Sequence, residues 1–281
     1  MVIRFAMNSL KTQLLPAVCS GRVAGLLVSI TMLYSGALLA ESIPVLHMQG
    51  TVRGFLVLRS MEGKTLASGD LTQVARGDRL ISNLVFHFKD GSIDETTVFT
   101  QHGEFRLVSD RHVQKGPSFP HPMDISIDVS SGQVTVRSSD GGHEKIEKDH
   151  LDLPPDLANG LLLTLLQNLR PGATETKISY LAATPKPRLV KLAITPQGQE
   201  TFRTAGEPHR ATRYAVKVEL GGIAGALAPL IGKQPKDIYI WILDGKAPAF
   251  VRMEGQLYQG GPVWTIELSS PVWQKSERSA P

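Results

Sequence analysis

The feature that most constrains this chain is a recurring alternation of short β-prone runs with explicit turn chemistry. From Thr51 to about Asp149 the runs end every eight to fourteen residues at a glycine-bearing turn: Glu62-Gly63, Asp90-Gly91, His102-Gly103, Gly116-Pro117 and Ser131-Gly132. Asp-Gly between two such runs favours a hairpin, because a type I′ turn needs positive φ and glycine adopts it without a steric cost. Tight turns leave no room for the long crossovers that parallel pairing requires, so the pattern predicts an antiparallel meander. Leu84, Phe86 and Phe88 alternate with Val85, His87 and Lys89, which predicts one buried face.

A single helix is predicted to interrupt the meander. Pro154-Pro155-Asp156 suits a first turn and Pro171-Gly172 ends the segment after Arg170. Between them Leu157, Ala158, Leu161, Leu162, Leu165, Leu166 and Leu169 fall on about half of a helical circumference, with Leu163 beyond it. At some fifteen residues the element is too short to span a bilayer of about 30 Å. It is expected to lie against the concave face of the sheet. Strand signal resumes at Lys177–Ala182, Leu189–Thr195, Glu200–Thr204, Thr212–Leu220, Asp237–Leu243, Ala249–Glu254 and Val263–Leu268, with turns expected at Pro196-Gln197-Gly198, Asp244-Gly245 and Gly260-Gly261-Pro262. The fold class is therefore mainly β, a long antiparallel meander forming a curved open sheet or half-barrel around one buried amphipathic helix.

Residues 1–40 carry Arg4, Lys11 and Arg22, no acid, and an uncharged run from Val23 to Leu39 before Ala40. That is the layout of a secretory signal peptide, and it predicts an exported protein of the periplasm or exterior. An uncleaved N-terminal membrane anchor is the competing reading. The chain has 30 Lys and Arg against 26 Asp and Glu. Removing the three bases of the signal leaves 27 against 26, so the alkaline pI near 9.2 does not describe a nucleic-acid surface, which needs clustered basic residues. The one cysteine, Cys19, lies inside the signal, and no disulfide or cysteine metal site is expected beyond it. Residues 41–273 read as one β-rich domain, with two lobes, 41–152 and 153–273, as the alternative; 274–281 read as a loose tail.

Several side chains invite chemistry. Asp110, His112, His121 and Asp124 lie close in sequence, but zinc needs three or four such groups converging, and an exposed polar loop explains them better. Asp94 and Glu95 are adjacent and point to opposite faces of a strand, which defeats a paired-carboxylate mechanism unless another acid folds in. Asp124 and Asp128 share a face, and His143 and His150 sit among alternating Glu and Lys; both sets are expected to face water. No nucleophile elbow, phosphate-binding glycine loop or His-Glu-x-x-His is present. The expectation is no catalytic residue, no metal and no cofactor. Gly221–Gly232 is uncharged and holds four glycines and a proline; it reads as a short helix or loop packed under the sheet, or as a mobile flap over a hydrophobic opening, presenting Ile223, Leu227 and Leu230. Trp241, Phe250, Tyr258 and Trp264 fall on the last three strands, as core residues or as a cradle for a sugar or acyl chain.

The run Ile238–Gly245 with its Trp and Asp-Gly turn, then Pro248–Gly255 and Trp264–Leu268, is similar to the closing strands of an exported bacterial family of unknown function. That family resembles the lipoprotein-carrier fold, an open antiparallel half-barrel around helices with an apolar hollow. The resemblance covers about the last hundred residues and carries over no catalytic residue. The signal, the absence of catalytic motifs, the leucine helix and the uncharged Gly221–Gly232 loop together predict a non-catalytic protein that binds or carries a lipid-like or other apolar ligand, lined by Leu157, Leu161, Leu165, Leu166, Leu169, Trp241, Phe250 and Trp264. The alternative is a structural or interaction module of the cell envelope with a filled core; a hydrolase of an envelope polymer is the third reading.

Overall fold

The computed structural model describes residues 42–140, 143–182, 187–204, 207–219, 235–258 and 260–269. The expected signal, the loop carrying Ile223, Leu227 and Leu230, and the 274–281 tail lie outside them.

The described chain is mainly β. Eight strands come first: β1 (Val52–Ser60), β2 (Thr65–Arg76), β3 (Arg79–Phe88), β4 (Gly91–His102), β5 (Glu104–Lys115), β6 (Met123–Asp128), β7 (Gln133–Asp140) and β8 (His143–His150). Residues 151–175 then carry only one short helix, α1 (Leu162–Leu166). Six more strands follow: β9 (Thr176–Ala182), β10 (Arg188–Thr204), β11 (Glu207–Glu219), β12 (Ile238–Leu243), β13 (Ala249–Gln256) and β14 (Val263–Leu268). Successive strands within each run pair antiparallel, and β14 returns to β1. The result is one open fourteen-stranded sheet in the order β8-β7-β6-β5-β4-β3-β2-β1-β14-β13-β12-β11-β10-β9.

The sheet is strongly curled. Asn159 bonds to β9, while the next residue, Gly160, lies against Thr97 of β4 and Asp110 of β5. In a flat sheet, nine strand spacings would separate β9 from β4 by about 43 Å, so the two limbs must face each other across the concave side. At one end, Gln114 of β5 donates from Nε2 to the Leu257 carbonyl, 2.9 Å away, beyond β13. The same end is filled by rings: Phe119 packs edge-on to Phe88 at 5.2 Å and to Tyr258 at 5.7 Å, with Trp264 against all three. Phe119 comes from the proline-rich loop between β5 and β6. One hydrophobic core joins both limbs, from Leu58, Phe86 and Phe99 to Ile178, Ile194 and Ile240.

Two expectations about elements are corrected. The helix predicted over residues 154–170 is reduced to the five residues of α1. Gly160 takes φ +67°, which an α-helix cannot accommodate, and Ala158 donates its N–H to Ser179 of β9 instead of to a helical carbonyl. The leucines are nevertheless buried, Leu157, Leu161 and Leu166 to 2 % exposure or less. The turn predicted at Pro196-Gln197-Gly198 is a β-bulge inside one seventeen-residue strand, since β11 pairs with β10 on both sides of it. Some bulges and some turns alike place glycine at positive φ, so the same residues signal either; Gly198 has φ +124°.

Candidate functional site

The site is built where the segment after β8 crosses the concave face. This segment first closes the free edge of β9. Leu157 forms a parallel bridge with Ser179, and the Asn159 amide acts as a surrogate peptide: Oδ1 accepts from Leu181 N at 2.8 Å and Nδ2 donates to Leu181 O at 3.0 Å. Asp156 Oδ2 accepts from Ser179 N at 3.0 Å and from Lys191 Nζ at 2.9 Å. An edge strand left bare would present unpaired N–H and C=O groups; here side chains supply their partners. Further along, buried Asn168 accepts from the Leu46 and His47 amides at 2.9 and 2.7 Å and donates to Thr164 O at 2.9 Å. That bond ties α1 to the N-terminal passage, which itself pairs with the β4–β5 turn through Val45 N and Gly103 O.

Beneath Gly160 lies a cluster of ionisable groups. Register places Glu95 opposite His112 and Thr97 opposite Asp110, all four on the concave side. His112 Nδ1 is 3.4 Å from Glu95 Oε1, and Thr97 Oγ1 donates to Asp110 Oδ1 at 2.8 Å. Asp110 is 3 % exposed. Burial, and then the neighbouring Glu95 charge, push its carboxyl up to about 7, against the pull of the Thr97 hydrogen bond. His112 is opposed by burial, yet the Glu95 hydrogen bond and charge, with Asp110 and Asp94, hold its imidazole above the ordinary value. Tyr180, from β9 on the opposite limb, has its hydroxyl pushed up by burial and then by Glu95 and Asp110. A Cβ on Gly160 would stand 1.9 Å from Thr97 Oγ1 and 2.6 Å from Asp110 Oδ1, so the segment's backbone seats directly on the cluster. The expected separation of Asp94 from Glu95 stands, and the second acid is Asp110. Sequence reasoning missed it, although one signal was available: Asp110 and His112 share a strand face, and a neighbouring hairpin strand carries Glu95.

The other chemical candidates disperse. Asp124 is on the opposite face, where the Arg111 hydrogen bond and charge, with Arg137, hold its carboxyl below the usual range. His121 is exposed in the β5–β6 loop. Among the described residues no group of three or more His, Cys, Asp or Glu is placed to hold a metal. His143 and His150 are exposed on edge strand β8. A shallow groove of about 390 Å³ runs over the convex side, past Thr96, Arg111, Ser126 and Thr135.

The predicted apolar lining is only partly brought together. Leu157, Leu161, Leu165, Leu166, Phe250 and Trp264 join the main core, with Leu169 packed at its margin. Trp241 is a correction: Ile240 and Ile242 point into the core, and Trp241 stands on the other face in a separate cluster with Ala211 and Leu243. Beside Leu161 and Leu165, against Ile43, Phe105 and Ile178, a cavity of about 10 Å³ is left, room for about one water. The chain matches no protein-family model, and no curated protein matches it in sequence.

Proposed function

We propose that this protein is an exported, non-catalytic module of the cell envelope that works by holding partners on its outer surface. The observation that supports this reading is the packing of residues 156–168 onto the concave face. Between Leu157, Leu161 and Leu165 on this segment and Phe105 and Ile178 beneath them the cavity is about 10 Å³, whereas a carrier of acyl chains needs a hollow of some hundreds of Å³. The exported address rests on the charge pattern of residues 1–40.

The carrier of a lipid-like ligand is the second reading, favoured by how the filling segment is attached. Its hold is concentrated on Asp156, Asn159, Gly160 and Asn168, between the two edge strands of an open sheet. Withdrawal of that one segment would bare the face carrying Phe99, Phe105 and Ile178. The Glu95–Asp110–His112 cluster, with Asp110 buried and its two neighbours half-buried, brings acids and a histidine together, as a hydrolase would need, but beneath Gly160. Photo-crosslinking in cells, paired with native mass spectrometry of the purified protein, separates the readings. Discrete crosslinked partners and a ligand-free mass are expected. A co-purifying lipid, displaced stoichiometrically by a fluorescent fatty acid, would replace this reading with the carrier.

A further inference from the structure

Among the described residues, three buried donors without a hydrogen-bond partner fall on one row across the convex face: Arg213 Nε, Trp241 Nε1 and Arg252 Nε. Register sets Arg213 of β11 opposite Trp241 of β12, and Trp241 opposite Arg252 of β13. The indole is 4 % exposed although it faces away from the main core. Its cover includes the two guanidinium groups, each 5.3 Å from the ring centroid, and Phe202, Tyr239 and Val251 at its margin.

The two arginines are not equivalent. Arg252 bonds Glu254 and lies 3.7 Å from Glu267, which also meets Arg59 at 3.9 Å. Arg213 lies over the Tyr239 ring at 4.1 Å, and among the described residues it forms no salt bridge. A guanidinium stacked on an aromatic face keeps its in-plane N–H edge available for a forked pair of hydrogen bonds. Every unmatched atom of the row is a donor. What would complete it is an acceptor with negative charge.

We propose that the Arg213–Trp241–Arg252 row is a binding site for an oxyanion that presents two oxygens from one centre, a phosphate or a carboxylate. Arg213 takes the two oxygens through its fork, and the Trp241 indole N–H supplies a third donor. Arg252, held by Glu254 and Glu267, positions the indole. The site does not depend on whether the interior is filled.

The test follows the Trp241 indole N–H resonance of the full chain, assigned with Trp241→Phe. The protein is titrated at constant ionic strength with inorganic phosphate, with acetate, and with short-chain phosphatidylglycerol or phosphatidylcholine below micelle formation. A saturable shift with at least one anion is expected, at least tenfold weaker in Arg213→Gln and unchanged in Lys64→Gln, a change of an exposed residue in the β1–β2 turn. Arg213→Lys, which keeps the charge and loses the fork, is expected to bind several-fold more weakly, and it carries the test if Arg213→Gln does not fold. A response to phosphatidylglycerol alone identifies the oxyanion as a lipid headgroup. The absence of a saturable shift with all three anions, or undiminished affinity in both Arg213 variants, overturns the site.

Discussion

A carboxyl group withdrawn from water beside a second acid keeps its proton to higher pH, and Asp110 is in that position, raised from 3.8 to about 7. The groups facing it are Glu95 and Thr97 from β4, His112 from β5, Tyr180 from β9 and the Gly160 backbone. In the unfolded chain Asp110 ionises near pH 4; in the fold it stays protonated until about 7. Its contribution to stability therefore falls across that window, on the order of 4 kcal/mol. His112 acts in the same direction: its folded value is raised, so the stability it adds below about pH 6.5 is lost as pH climbs through the folded value. Asp124 is depressed, so the stability it adds is lost only as pH falls below this window. Melting temperatures from pH 4.5 to 8 should show Asp110→Asn gaining on the native protein as pH rises; a constant difference would refute the assignment. At Gly160, alanine would meet both the 1.9 Å clash and a positive φ, and should cost more than about 3 kcal/mol in urea unfolding. The polar anchors were not legible in sequence, because Asn159 and Asn168 look like the wet side of a helix until β9 and the N-terminal passage claim them.

At the scale of elements, what could be read was what glycine and hydrophobic alternation control. The turns at Glu62-Gly63, Asp90-Gly91, His102-Gly103 and Ser131-Gly132 all sit between strands, and the Phe86 face is the buried one. What could not be read depended on a distant partner. Leucine spacing over 157–169 fits a helix, but it also fits an irregular segment whose backbone bonds are met by an edge strand, and only the presence of β9 decides. Asn159→Ala removes both surrogate bonds to Leu181 and should cost about 1–3 kcal/mol, with the Leu181 amide among those whose hydrogen exchange speeds most. Phe119 comes from the proline-rich loop between β5 and β6, where no strand alternation assigns it a face, yet it anchors the ring cluster at one end of the sheet. Phe119→Ala should cost about 3–5 kcal/mol and weaken the near-ultraviolet dichroism contributed by Tyr258 and Trp264. An undisturbed aromatic signal in that variant would contradict the packing.

On the scale of the whole molecule, fourteen strands in one open sheet leave two edges, and the chain treats them differently. Edge strand β8 is exposed and carries alternating Glu and Lys, a charged edge that resists pairing with another chain. Edge strand β9 is covered by residues 156–159. The segment between them lies across the concave face, its leucines part of the main core. The curved open sheet was legible from turn spacing; whether its concave side is hollow was not, because leucines that line a void and leucines that fill one have the same spacing. Native-state hydrogen exchange at Ala158, Leu161 and Leu165, with and without a fluorescent fatty acid, tests the filled interior most directly. These amides donate to Ser179, Ala158 and Leu161 carbonyls, and they should exchange only through global unfolding, unaffected by the fatty acid. Fast local exchange there, or stoichiometric uptake of the probe with loss of that protection, would contradict the account.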